Sequence, residues 1–233
     1  GVSVAAAYNE CFAPELYFRL HAFQSQILGD DGMPAFDNPQ TLKAYINFRR
    51  TIHLAKPDYL QATDVSIVDA FLRGDTAMLI TYPSFLTNST DLRRSSTSIG
   101  CSLVPGRRPL LGGWSFGVSR QSVQREQALA FLRWTCDEGI SNYFTIMGGQ
   151  TAISNTYTND EMVKLYPWLP LYFKTYPNTQ PQYQLSFPDG RPIPSKQIDD
   201  VLCKWAYKCL IYNMDISAAI AATNQELTEL LSQ

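Results

Sequence analysis

Long apolar runs, histidines and paired cysteines are all scarce in this sequence of 233 residues. No apolar stretch approaches the roughly 20 residues that a membrane-spanning helix needs, so we expect no transmembrane span. The only histidines are His21 and His53, and neither lies beside a motif such as GxSxG, so no Ser-His-Asp or Cys-His active site is predicted. Residues 1–9 lack a basic stretch ahead of a long apolar one, so we expect no export signal within this chain.

The sequence also lacks a strong excess of positive or negative charge, since the formal net charge is −2. Without a basic stripe to neutralise phosphates, nucleic acid is not an expected partner. The cysteines form no CxxC pair and no Cys/His cluster with metal-ligand spacing, so neither a metal site nor a cofactor is predicted. We expect most of these thiols to be buried, and the sequence leaves open whether two of them form a disulfide. They are Cys11, Cys101, Cys136, Cys203 and Cys209.

Helical periodicity is what the sequence has in abundance. Apolar residues recur at spacings of three and four in residues 38–53, 124–136, 195–212 and 215–231, which predicts four amphipathic helices. Asn38 and Pro39 are suited to cap and open the first of them.

Three short apolar runs, at residues 76–82, 99–104 and 114–118, are bounded by glycine and proline and predict strands. Short strands between helices predict an α/β domain with a covered sheet. Residues 166–194 are rich in Pro, Tyr, Asn and Gln, so we expect a long irregular excursion there.

Candidate chemistry is sparse. Neighbouring carboxylates at Asp30–Asp31 and Asp199–Asp200 would diverge by about 100° on a helix, so we interpret them as solvated groups and predict no catalytic residues. Trp114 follows Gly112 and Gly113 at the start of a predicted strand, where a ligand can approach the backbone and lie against the indole. Such a platform suits the C–H face of a sugar ring, although the same residue also fits a core position.

Several segments occur in an order and spacing that are more specific than any one of them. They are residues 71–83 (FLRGDTAMLITYP), 100–106 (GCSLVPG), 112–119 (GGWSFGVS), 126–134 (EQALAFLRW), 149–154 (GQTAIS), 190–192 (GRP) and 217–227. This series resembles the extracellular solute-binding proteins of ABC sugar importers, of the family 1 sugar-binding type. The resemblance extends from about Pro34 to the C-terminus, and Ala152 departs from it because that family often has proline there.

The resemblance implies a periplasmic-binding-protein-like α/β fold, of which this chain supplies mainly the second lobe. That lobe, residues 1–194, is expected to hold a covered mixed sheet, and residues 195–233 are expected to form helices packing on the lobe or the hinge. The first lobe is expected to be largely absent from these residues. The implied function is to bind a sugar or oligosaccharide and deliver it to the membrane subunits of an ABC importer, as a monomer that catalyses no reaction. The implied location is extracellular or periplasmic, with a lipoprotein anchor in the full-length form.

Carried over by position, the resemblance assigns the ligand contacts to Tyr82, Gly113, Trp114 and Arg191. The two aromatic rings would stack on the sugar, Gly113 would offer backbone, and Arg191 would donate hydrogen bonds to hydroxyls. Arg191 also fits a solvated loop position. Two other functional classes stay open at this point: a carbohydrate-active enzyme and an interaction module with an aromatic surface.

Overall fold

The computed structural model of the protein describes residues 1–8, 12–87, 99–113, 115–183 and 186–232. It consists of two compact units. Unit 1 comprises Gly1–Ile80, Val104–Leu111 and Asn178–Gln233, and unit 2 comprises Thr81–Leu103 and Gly112–Pro177. The boundary predicted between residues 194 and 195 therefore lies inside unit 1. The assignment of the chain to lobes stays a prediction.

Ten α-helices account for most of the regular structure in the described residues. In chain order they are α1 (Phe12–Ala22), α2 (Pro39–Leu54), α3 (Asp64–Leu72), α4 (Pro83–Thr87), α5 (Arg125–Thr135), α6 (Glu138–Ile146), α7 (Asp160–Leu165), α8 (Leu169–Thr175), α9 (Ser195–Ile211) and α10 (Ile216–Leu231). Short 3-10 turns lie at Pro105–Arg107, Ser154–Thr158 and Tyr176–Asn178. Among the helices that the structure describes, none is long and apolar enough to cross a membrane.

The four helices predicted from periodicity are confirmed as α2, α5, α9 and α10. The cap predicted for α2 is confirmed as well: the Asn38 side chain accepts a hydrogen bond of 2.9 Å from the Thr41 backbone N–H, and Pro39 is the first helical residue. Asp215 caps α10 in the same way through the Ala218 N–H at 2.9 Å. Each cap satisfies one of the backbone donors that a helix start leaves without an intrahelical partner.

The centre of unit 1 is an extended segment near the start of the chain, with Val4, Ala5 and Ala6 fully buried. The Ser3 N–H donates to the Met78 carbonyl at 3.0 Å, and the Ala6 N–H donates to the Tyr59 carbonyl at 3.1 Å. The segment is thus hydrogen-bonded to two separate parts of the chain. Small side chains allow it to run through the middle of the unit, where bulkier ones would not fit.

Helices α1, α2 and α9 pack against one another, and α10 packs on α2 and α9. Phe12 of α1 and Phe48 of α2 are both completely buried and stack with ring centroids 6.0 Å apart. Burying large aromatic side chains is a main source of folding free energy, at about 1.5–3 kcal/mol for each residue of this size class. This layer fixes the positions of α1 and α9, which carry the site described below.

The predicted covered mixed sheet is not borne out. Within the described residues the only β-pairing is a set of isolated bridges, among them the parallel bridges of Val2 with Ala55 and with Met78. The runs at 99–104 and 114–118 were predicted from composition, but a strand also needs a partner segment beside it. The described part of each run is largely exposed and enters no ladder.

The turn at residues 104–106 requires glycine at position 106. Gly106 has a φ of 78°, and a Cβ added there would come within 2.6 Å of the Ala22 Cα at the end of α1. A side chain would be both strained and in collision with backbone. Gly106 therefore allows this turn to pass against the end of α1.

Unit 2 has a small core of its own, in which Tyr157, Met162 and Leu169 are buried. The Tyr157 and Phe173 rings stack at 5.8 Å, and the Tyr157 hydroxyl donates to the Thr151 carbonyl at 2.5 Å. The core forms where α7, α8 and the turn at Ser154–Thr158 meet. Residues 166–194 are therefore less irregular than the sequence indicated, because α8 lies within them.

The prediction that most thiols are buried is only partly correct. Cys209 is buried and Cys203 is half-buried, whereas Cys101 and Cys136 are exposed, and all four are free thiols. Cys11 lies outside the described residues.

Candidate functional site

Two cavities of unit 1 differ greatly in size. One has a volume of about 120 Å³, which is too small for a sugar ring with its hydroxyls. The other, at about 490 Å³, falls in the range of roughly 300–1,000 Å³ that small-molecule sites occupy. We call this second one the α9 cavity, and it is lined by Tyr8, Ala13, Ser195, Lys196, Asp199, Asp200 and Cys203.

Tyr8 supplies the aromatic wall of the α9 cavity. Its side chain is 56% exposed, and its ring packs edge-on against Tyr207 with centroids 4.7 Å apart. Behind it, Phe12 lies 6.4 Å from the Tyr8 ring and 5.3 Å from the Tyr207 ring. Because Phe12 is buried in the α1–α2 layer, Tyr8 rests on a supported aromatic stack. One side of it stays open, as a stacking platform requires.

Asp199, in the second turn of α9, is the most constrained polar group of the α9 cavity. One oxygen, Oδ1, accepts a hydrogen bond of 2.5 Å from the hydroxyl of buried Tyr17 and another of 3.4 Å from Tyr183. The Tyr183 hydroxyl also lies 2.9 Å from the Ser195 carbonyl, to which it donates. Because a phenol carries one proton, Tyr183 shares its proton between the Ser195 carbonyl and Asp199, and the shorter bond from Tyr17 is the main contact that orients this carboxylate.

Burial and hydrogen bonding act on Asp199 in opposite directions. Desolvation raises the pKa of Asp199 above its usual value, and the hydrogen bonds from Tyr17 and Tyr183 offset part of that rise. The pKa of Tyr17 is itself raised well above its ordinary value by burial and by the Asp199 charge. Tyr17 thus stays a neutral donor at physiological pH, which is what the carboxylate needs.

The other polar groups of the α9 cavity are either exposed, as Lys196 and Asp200 are, or neutral, as Cys203 is. Lys196 and Asp200 lie one helical turn apart, with Nζ and Oδ1 separated by 3.5 Å, and both are well exposed. An exposed pair of this kind is worth little and can open to meet a ligand. Burial raises the pKa of the Cys203 thiol to about 12, so Cys203 is a neutral, weakly polar part of the wall.

These groups together can recognise a polyhydroxylated molecule. An aromatic face packs on C–H groups, carboxylates accept hydrogen bonds from hydroxyls, and an ammonium group donates to ring or hydroxyl oxygens. Asp200 is exposed and paired with Lys196, and Asp199 is already engaged by the hydroxyl of Tyr17. The arrangement therefore favours binding over acid/base chemistry.

Of the residues predicted from the sequence, Tyr82 and Gly113 lie in unit 2. Tyr82 is half-buried, and its ring covers Gly112, where an added Cβ would come within 2.7 Å of the Tyr82 Cε1. Gly113 is exposed, and a Cβ there would meet no atom within 4 Å. The structure thus places the Tyr82 ring against Gly112 and leaves Gly113 open. Trp114 lies outside the described residues.

Arg191 lies in unit 1, in the turn that follows Gly190. Its Nε donates to the Asp189 carboxylate at 2.7 Å, and its guanidinium stands 5.0 Å from the centre of the Phe187 ring. Both Arg191 and Asp189 are more than half exposed. The guanidinium is therefore engaged within its own turn, and its assignment to a ligand stays a prediction.

Sequence reasoning missed the α9 cavity because it treated Asp199 and Asp200 as solvated carboxylates. Asp200 is indeed exposed, but Asp199 is half-buried beneath two tyrosine hydroxyls. The available signal was spacing: Ser195 and Lys196, then the two aspartates, then Cys203 recur at three to four residues and share one face of α9. Tyr17 and Tyr183 are distant in sequence from Asp199, so no local pattern could have identified their contacts with it.

Comparisons with known proteins agree on the fold. No protein-family model matches the chain, and no curated protein matches it in sequence. Among solved structures, maltose-bound T. maritima MalE3 matches with a TM-score of 0.83 and 18% identity, over 99% of this chain and 60% of that one.

Two further solved structures are similar. An ABC transporter solute-binding protein from Thermotoga lettingae TMO, bound with α-D-tagatose, has a TM-score of 0.79 at 19% identity, over 99% of this chain and 59% of that one. One from Agrobacterium radiobacter K84, in complex with ribitol, has a TM-score of 0.72 at 20% identity, over 99% of this chain and 59% of that one. The chain thus spans about 60% of the length of these structures. It has the periplasmic-binding-protein fold, which confirms the resemblance at the level of the fold.

Proposed function

We propose that this protein binds a sugar or oligosaccharide outside the cell and delivers it to an ABC-type membrane importer. The observation that carries the proposal is the α9 cavity, in which the supported Tyr8 ring stands beside the tyrosine-held Asp199. The three solved structures reported above support it, since their descriptions name a sugar or sugar alcohol as the bound ligand. The role is capture and presentation, without catalysis.

Each group in the cavity has a role in this proposal. Tyr8 packs against the C–H face of a sugar ring. Asp199 accepts hydrogen bonds from two neighbouring sugar hydroxyls through Oδ2, the oxygen that the tyrosines do not contact. Because Tyr17 and Tyr183 already fix the carboxylate, binding does not have to order it, which lowers the entropic cost. Lys196 and Asp200 adapt to whichever hydroxyls lie at the rim.

The wider cellular setting belongs to the same proposal. The chain acts as a monomer in the periplasm or outside the cell, with a lipoprotein anchor in its full-length form, and its partners are the membrane subunits of the importer. A first lobe outside these residues completes the cleft, which closes over the ligand by hinge motion. Tyr82, Gly113, Trp114 and Arg191 remain candidates for further ligand contacts.

A sugar titration followed by NMR tests the function directly. We expect maltose or a related oligosaccharide to shift the resonances of Tyr8 and of the first turns of α9, with a dissociation constant in the millimolar range because one lobe encloses only part of a ligand. Tyr8→Ala is expected to weaken binding by about 1–3 kcal/mol, which is about 5- to 150-fold in Kd. Asp199→Asn is expected to cost about 1.5–3 kcal/mol, the range for a hydrogen bond to a charged group.

Tyr143→Ala is the matched control, because Tyr143 is an exposed tyrosine of unit 2 that does not line the α9 cavity. Trp114→Ala in the same titration shows whether the sequence-predicted platform also contributes. The proposal is wrong if no sugar shifts the α9 resonances at any concentration, or if Tyr8→Ala and Tyr143→Ala behave alike. An increase in reducing ends during the titration would instead favour the alternative hypothesis of a carbohydrate-active enzyme.

A further inference from the structure

The described lining of the α9 cavity carries more negative than positive charge. Its ionised groups are the carboxylates of Asp199 and Asp200 and the ammonium group of Lys196. Burial raises the pKa of Tyr8 and of the Cys203 thiol, so both side chains are neutral at physiological pH. One negative charge is therefore left without a positive counterpart in this lining.

The excess does not depend on which carboxylate Lys196 approaches. Its Nζ lies 3.5 Å from the Asp200 Oδ1. Asp199 is three residues away on the same helix, a spacing that a lysine side chain also spans. Whichever aspartate Lys196 contacts, the other keeps its charge.

The next lysine of α9 is already paired with α10. The Lys204 Nζ lies 2.7 and 2.9 Å from the two carboxylate oxygens of Glu226, and the Trp205 indole N–H donates to the same carboxylate at 2.7 Å. Since two lysine-directed oxygens and an indole fix this contact, Lys204 is held on the α10 side. Its charge is balanced there by Glu226.

The groups that hold Asp199 orient it without neutralising it. Tyr17 and Tyr183 contact its Oδ1 as uncharged phenols, and Asp199 takes part in none of the ion pairs within the described residues. Oδ2 is the oxygen that the tyrosines do not contact. A half-buried carboxylate of this kind interacts more strongly with a cation than a fully hydrated one does.

We propose that the ligand class of the α9 cavity is an amino sugar whose protonated amine binds Asp199, an inference that rests on the function proposed above. The ammonium group donates to Asp199 Oδ2, while the C–H face of the same ring packs on Tyr8. The ligand then supplies the positive charge that the lining lacks. Sugars that carry a carboxylate or a phosphate are repelled by the same excess charge.

A small cation without hydroxyl groups fits the lining less well. Sites for such cations surround the charge with several aromatic faces, whereas Tyr8 is the one aromatic residue in the described lining of this cavity. Ser195 and Lys196 add hydroxyl and ammonium groups, which bind the oxygens of a polyhydroxylated ligand. The lining therefore favours a ligand that has both a positive charge and several hydroxyls.

Titrations of the 233-residue chain with glucosamine, glucose, glucuronate and ethanolamine, followed through the NMR resonances of α9 at about pH 6.5, test the ligand class. Both amines are protonated under these conditions. We expect glucosamine to bind about 10-fold more tightly than glucose, because a charge-assisted hydrogen bond is roughly twice as strong as a neutral one. Glucuronate should bind more weakly than glucose.

Salt and two variants locate the source of the preference. Raising sodium chloride from about 0.02 M to about 0.5 M should reduce the advantage of glucosamine and leave the Kd of glucose unchanged. Asp199→Asn should remove most of the advantage. Asp37→Asn is the charge-matched control, because Asp37 is an exposed aspartate of unit 1 that does not line the α9 cavity.

Equal affinities for glucosamine and glucose would overturn the ligand class and leave the sugar-binding function standing. Ethanolamine binding as tightly as glucosamine would overturn both, because the cavity would then recognise a cation without its sugar. Both also fail if none of the four compounds shifts the α9 resonances. A preference for glucosamine that survives in Asp199→Asn would show that this carboxylate is not its source. If Asp199→Asn does not fold, the ligand comparison and its salt dependence in the unaltered chain still decide.

Discussion

Glu15→Ala is expected to lower the free energy of unfolding by about 3–5 kcal/mol, because it leaves the Arg19 guanidinium buried without its partner. Glu15 and Arg19 face each other one turn apart on α1 and are only 3% and 7% exposed. The Glu15 carboxylate also accepts from the Ala5 N–H at 3.4 Å, and the Arg19 guanidinium lies 4.5 Å from the centre of the Phe48 ring. The pair thus joins the central segment, α1 and α2.

Urea denaturation followed by circular dichroism measures this effect. Glu161→Ala is the control, since Glu161 pairs with Lys164 where both side chains are more than 70% exposed, and exposed pairs contribute at most about 1 kcal/mol. The double variant Glu15→Leu with Arg19→Met should be far less damaging than Glu15→Ala, because it removes both charges and keeps the volume. If Glu15→Ala and Glu161→Ala lower the free energy of unfolding equally, the buried ion pair does not stabilise the fold and this explanation is wrong.

Four of the ten helices in the described residues, α2, α5, α9 and α10, were predicted because their determinants are local. Asn38 and Pro39 identify the start of α2, and apolar spacing identifies α9 and α10, so each signal lies within one or two turns of the residues that it organises. Helix α1 was missed although Phe12, Leu16 and Leu20 recur at intervals of four. Pro14 lies in its first turn, where proline is tolerated.

The strands and the site depended on distant partners and could not be predicted in the same way. Composition identified residues 114–118 as strand-like, but composition does not say which segment pairs with them. Asp199 became a binding candidate only through Tyr17, which is 182 residues away in sequence. The family resemblance did predict the fold. It rests on several weak motifs in a fixed order, and proteins that share such an order along the chain share the tertiary arrangement of those segments.

Acid is expected to destabilise unit 1 through His21, whose imidazole is buried in α1 at 7% exposure. Burial lowers the pKa of His21 to about 4, with a further contribution from the Arg108 charge, while a hydrogen bond with the Gln182 backbone opposes the shift. In the unfolded chain the imidazole takes up a proton near its ordinary pKa of about 6.5. Between these two values the unfolded state binds more protons, so stability falls as the pH is lowered.

The stabilisation is about 3.5 kcal/mol, present in full well above pH 6.5, and about 3 kcal/mol of it is lost by pH 4, since each pKa unit corresponds to about 1.4 kcal/mol. Urea denaturation at a series of pH values between 7 and 4 measures it. His21→Gln should flatten the dependence in this window whatever it does to stability at pH 7, because glutamine does not titrate. His53→Gln should leave the slope as it is, since His53 is exposed. An unchanged slope in His21→Gln would mean that the acid sensitivity of unit 1 comes from carboxylates and that the buried imidazole is not its cause.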